Sequence, residues 1–95
     1  MLFYHVAFYL PGEAGEMVLA RALDFPGAVT MGVDLPDAKK TIANLMRDIA
    51  EGFYERGQPL PVPDPDADSP DAKVVELVGL PERPERVLEE MRWRA

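Results

Sequence analysis

The sequence predicts an α+β fold: a three-stranded antiparallel meander, one long amphipathic helix packed on the sheet, a fourth strand and a short C-terminal helix, with the core elements in the order β-β-β-α-β. Three observations lead there. Residues 2–10 alternate with period two and are rich in aromatics, residues 35–53 carry apolar side chains at spacings of three and four, and Pro/Gly pairs punctuate the runs between them. With 95 residues, 47% of them hydrophobic, the chain is sized for one domain rather than several.

In the first run Leu2, Tyr4, Val6, Phe8 and Leu10 share one face, and Phe3, His5, Ala7 and Tyr9 the other. Apolar residues on both sides predict a strand covered on both faces. The stretch PGEAG at 11–15 is turn chemistry, and a second strand from Glu16 to about Leu23 completes a hairpin. Pro26 and Gly27 turn the chain again before a short third strand, AVTMGV at 28–33. Strands joined by short turns usually pair with each other, which makes the three a meander.

Asp34 is placed to cap a helix, with Pro36 in its first turn and Asp37 near the positive end of its dipole. Ala38, Ile42, Leu45, Met46, Ile49 and Phe53 form one apolar stripe, and Gly57 is the stop. Residues 58–72 hold five prolines and four aspartates and read as an extended connection over the surface. The run KVVELVGL from Lys73 supplies the fourth strand. These elements define a domain at 1–80, followed by a tail at 81–95 in which a short helix from about Pro84 brings Val87, Leu88 and Met91 to one side.

Seventeen acidic residues against ten basic ones give a net charge of −7, which argues against a surface that is a general footprint for nucleic acid. Four of those seven charges fall in the linker. The chain has no cysteine, so disulfides, thiolate metal sites and cysteine nucleophiles are excluded. The apolar opening lacks a basic leader and is interrupted at Pro11 and Gly12, so a cytoplasmic protein with no membrane span is expected. One serine, one asparagine and one glutamine beside ten prolines and seven arginines suit a thermophile.

Catalytic chemistry finds little support. His5 is the only histidine and has no partner nearby in sequence, and the only serine, Ser69, lies in the linker away from any base. Asp64, Asp66 and Asp68 alternate like the opening of a calcium loop, but the positions needing glycine and glutamate hold Ser69 and Val75. No glycine-rich loop joins a strand to a helix, so no cofactor is expected. Asp24 with Asp48 and Glu51 offers three carboxylates for a metal-dependent nuclease, yet the latter two lie off the apolar stripe. Trp93, between Arg92 and Arg94, is of another kind: tryptophan and arginine are favoured in interface hot spots. Val87, Leu88, Met91, Trp93 and Arg94 are therefore candidates either for binding a partner or second copy, or for folding back on the domain.

The segment from Phe3 to Pro63 resembles the N-terminal domain of HicB-type antitoxins of bacterial and archaeal toxin–antitoxin pairs. The resemblance lies in the opening YHVAFYLPGEAGEMVLARAL, in Asp24-Phe25-Pro26-Gly27-Ala28-Val29-Thr30-Met31-Gly32, in Leu35 to Ala38 and in the exit Gly57-Gln58-Pro59-Leu60-Pro61. It departs at Leu23, where the family commonly has proline, at Ala28, where it often has cysteine, and at Val33-Asp34, where it has aspartate-threonine. Pro26 and Gly27 still turn the chain after Asp24, and Asp34 still caps the helix.

The resemblance implies a reduced ribonuclease-H-like core without an active site, and a protein that acts by covering a small ribonuclease toxin of the HicA type. Many members add a C-terminal DNA-binding module. The residues after the fourth strand are too few for a helix-turn-helix or ribbon-helix-helix unit, so autonomous operator binding is not expected. Apolar residues on both faces of the first strand exceed what one helix covers, which predicts a homo-oligomer, a dimer or tetramer. The alternatives are a homo-oligomeric structural module and a residual metal-dependent nuclease.

Overall fold

The computed structural model describes residues 1–10 and 17–82. The turn expected at 11–15 and the helix expected from Pro84 lie outside the described residues. Within them the chain forms β1 (Leu2–Tyr9), β2 (Val18–Ala22), β3 (Val29–Gly32), α1 (Leu35–Glu55) and β4 (Val74–Leu80). The fold is α+β, one helix on a four-stranded antiparallel sheet of order β3-β2-β1-β4. The second and third strands are shorter than the sequence suggests, with the turn at Pro26 and Gly27 between them. No helix among the described residues is long and apolar enough to cross a membrane.

Alternation along the strands assigns the two faces. Tyr4, Val6 and Phe8 of β1, Val18, Ala20 and Ala22 of β2, Gly32 of β3 and Leu80 of β4 are buried. They meet Ala38, Ile42, Met46 and Ala50 of α1, with Phe25, Ala28 and Leu60 closing the cluster. Each large side chain removed from water here contributes about 1.5–3 kcal/mol, so this layer is the main source of stability. Phe25 sets its ring edge-on to Tyr4 at 4.8 Å between centroids and also faces Phe53 of the helix.

Local chemistry fixes both ends of α1. The Asp34 carboxylate accepts from the Asp37 backbone N–H at 2.8 Å, and the Asp37 carboxylate accepts from the Val33 N–H at 2.9 Å, so two orphan donors are satisfied reciprocally. At the other end Gly57 has φ +66°, and the Gly57 and Gln58 N–H groups bond back to the carbonyls of Tyr54 and Phe53. That is a Schellman stop, which needs a residue at ease in the left-handed region. Gly32 decides how closely strand and helix approach: a Cβ there would lie 2.4 Å from the Ala38 nitrogen. Lys39 reaches Glu76 of β4 at 2.8 Å, tying the helix to the far edge strand.

Candidate functional site

The face of the sheet away from α1 exposes apolar residues at both ends. Phe3 of β1, Leu19 of β2, Val29 and Met31 of β3 and Leu77 of β4 alternate onto it, with exposures from 36% for Leu19 to 59% for Leu77. Met1, Met17 and Val33 extend it beyond the strand ends. Isolated exposed apolar residues need no explanation, but Leu19, Val29 and Met31, neighbours on β2 and β3 flanked by Met17 and Val33, form a group that marks a surface built to be covered. In register Leu19 stands opposite Met31 and Arg21 opposite Val29, whereas Phe3 and Leu77 lie towards the other end of β1 and β4, beyond Ala7. Gly79 leaves room for Phe3 and Met1, whose side chains lie where its Cβ would be, at 3.0 and 2.8 Å.

The linker of residues 58–72 crosses this face over Ala7. Its first half is pinned beside the helix-side core, where Leu60 is buried and the Tyr4 hydroxyl donates to the Pro61 carbonyl at 2.6 Å. Its middle is pinned at Asp24, whose Oδ2 accepts from the Asp64 N–H at 3.1 Å. Its second half is pinned at Tyr9, whose hydroxyl lies 2.8 Å from the Ser69 hydroxyl. Tyr9 and His5 alternate onto the open face, and Ala7 between them is fully buried, in accord with a strap fixed on either side of it. Asp64, Asp66, Asp68 and Asp71 on the strap are all exposed. Because Tyr9 stands opposite Leu19 in register, this acidic edge directly borders the apolar patch.

Asp24 is the anchor of that arrangement. Its side chain is 2% exposed, its Oδ1 accepts from the His5 backbone N–H at 2.7 Å, and its Oδ2 lies 2.9 Å from His5 Nδ1. A buried carboxylate persists only when its lone pairs are satisfied, and three partners do that here. Beside it, burial first and the Asp24 charge second push the Tyr4 hydroxyl up to about 12 from an ordinary 10.0.

The sequence-level candidates divide accordingly. Asp24, Pro26 and Gly27 do form a turn, Gly27 at φ +75°, and Asp34 does cap α1. His5, read from the sequence as solitary, has Asp24 as its partner. Ser69, read as lying in an open connection, has its hydroxyl held by Tyr9 rather than set against a base. Asp48 and Glu51 are exposed on the helix, and no group of three or more acidic or histidine side chains gathers for a metal among the described residues. Val87, Leu88, Met91, Trp93 and Arg94 lie outside the described residues.

The open patch on β2 and β3 escapes the reading centred on β1. Its signal is present, however: Met17, Leu19, Val29, Met31 and Val33 recur at every second position, where a sheet with one wet face carries polar residues. In comparisons with known proteins, no family model, no curated protein and no solved structure matches the chain.

Proposed function

We propose that this protein acts by binding rather than by catalysis, as a HicB-like antitoxin or an orphan relative in the cytoplasm that covers a small basic ribonuclease toxin of the HicA type with the open face of its sheet. The observation that carries the reading is the exposed apolar group of Leu19, Val29 and Met31 on β2 and β3 with an acidic strap beside it. A hydrophobic centre with a charged border is the anatomy of a protein interface, and a chain of net charge −7 attracts a basic, RNA-binding partner and speeds its encounter. The residues on which the HicB resemblance rests also position this face: the turn after Asp24 and the cap at Asp34 hold β3 and α1 in place.

Co-expression tests this. The wild-type chain should restore growth to cells producing a HicA-type toxin, and Met31→Glu should abolish the rescue while the variant accumulates to the same level. Failure of the wild-type chain to bind or neutralise the toxin would overturn the proposal. The same open face favours a second reading, a homo-oligomer closed face to face, which sedimentation at rising concentration would reveal. Two acidic straps brought together repel, and for that reason it ranks second.

A further inference from the structure

We infer that a second copy of this chain pairs along the outer edge of β3, joining two sheets into one antiparallel sheet about a two-fold axis at Thr30. The pairing uses backbone groups and leaves the side chains of Leu19, Val29 and Met31 on the open face, so it stands or falls separately from toxin binding.

The backbone sets the geometry. The Ala22 N–H donates to the Ala28 carbonyl at 2.9 Å. Hydrogen-bonded and non-bonded pairs alternate along an antiparallel ladder, so Thr30 bonds to Ala20 and Gly32 to Val18. Val29 and Met31 therefore turn their N–H and C=O groups outward, and none of these groups has a partner among the described residues. The next outward donor, the Val33 N–H, is taken by the Asp37 carboxylate at 2.9 Å, which ends the open edge. Edge strands are ordinarily guarded by lysine, proline or a bulge. The run Val-Thr-Met-Gly of β3 carries none of these, and its register with β2 is unbroken. A second β3 complements this edge: with the axis at Thr30, Val29 faces Met31 of the second copy and Met31 faces its Val29, and both pairs exchange N–H···O=C bonds.

The helix supplies an independent argument. Lys39 of α1 reaches towards β4 at Glu76. At about 100° per residue, Thr41, Leu45 and Gly52 come to the opposite flank, towards β3, and none of them is fully buried. The helix packs chiefly on β3 and β2, so its axis lies about half a strand spacing inside β3. Two copies joined at β3 thus hold their helix axes about 10 Å apart, the distance at which helices pack, with the Leu45 flanks turned to each other. Joining at β4, the other outer strand, leaves the helices about 30 Å apart and puts the Lys39–Glu76 ion pair at the seam.

Charge favours the same arrangement. The acidic strap crosses β1 over Ala7, two strands in from β3. Edge pairing keeps the two straps about 24 Å apart, beyond the screening length of about 10 Å at 0.1 M salt. Closure of the open faces on each other brings the straps together.

Sedimentation of the 95-residue chain should show a dimer that dissociates on dilution. By nuclear magnetic resonance, the Val29 and Met31 amides should exchange with solvent at least about tenfold more slowly in the dimer than in the monomer. Met31→Pro removes one outward N–H while sparing the ladder with β2, and should give a folded monomer. Leu45→Glu sets like charges across the helix seam and should weaken the dimer at least about tenfold; it decides the matter if Met31→Pro fails to fold. Leu19→Glu, on the open face away from the seam, should leave the dimer intact. Three results would each overturn the inference. One is a wild-type chain that stays monomeric, including one whose Val29 and Met31 amides slow only when a toxin is added, which would give the edge to that partner. Another is a dimer indifferent to both Met31→Pro and Leu45→Glu. The third is a dimer lost on Leu19→Glu with the two amides exchanging freely, which would place the contact on the open faces.

Discussion

Asp24 gathers three donors from two distant stretches of chain, the His5 backbone, the His5 ring and the Asp64 backbone. Asp24→Ala leaves these groups without their acceptor in a mostly buried place, and a loss of about 2–4 kcal/mol is expected in chemical denaturation. His5→Ala removes only the ring contact and should cost about 1 kcal/mol. Tyr4 makes a pH-dependent contribution. Its folded-state value of about 12 lies above the ordinary 10.0, so the stability it confers is complete below pH 10 and is lost as pH rises through 12. Melting curves between pH 9 and 12 should fall more steeply for the wild type than for Tyr4→Phe, which has no proton to lose. A parallel fall in both would remove Tyr4 from the account. None of these partnerships is legible in the sequence. His5 and Asp24 are 19 residues apart and Tyr9 and Ser69 are 60 apart, and neither periodicity nor turn chemistry says which surfaces such residues will share.

Strands and helix are legible at the scale of elements because each is written in local chemistry. Period two in residues 2–9 and the stripe from Ala38 to Phe53 survive into the structure, and the Asp34 cap and Gly57 stop are found where turn and cap preferences place them. The linker shows the opposite case. Five prolines identify an extended connection, but its use as a strap depends on Leu60, Pro61, Asp64 and Ser69 finding distant partners. Gly32 is similarly silent in the sequence, since only the packed helix shows what its missing side chain permits. Gly32→Ala should push α1 away from β3 and cost about 1–3 kcal/mol, a fall of about 4 °C or more in Tm for a domain of this size. An unchanged Tm would mean that the contact between Gly32 and Ala38 does not set the spacing. Asp34→Ala, which removes only the cap, should cost about 1 kcal/mol.

For the molecule as a whole, the two faces of the sheet have different tasks. One is closed by α1 and carries the stability, and the other exposes apolar residues on either side of an acidic strap. Four of the seven excess negative charges reside in the strap that borders the open face, so acidity is concentrated where a basic partner would approach. Association should accordingly slow as ionic strength rises, because exposed charges are screened beyond about 10 Å at 0.1 M salt. The dissociation rate should respond less, being set by the apolar contacts. The most direct test is calorimetric titration of the 95-residue chain with a HicA-type ribonuclease, comparing wild type, Met31→Glu on the open face and Arg47→Ala on the solvent side of α1. Binding by the wild type and by Arg47→Ala with equal affinity is expected, with a loss of at least about tenfold, about 1.4 kcal/mol, for Met31→Glu. Equal binding by all three would contradict the assignment of the open sheet face as the interface.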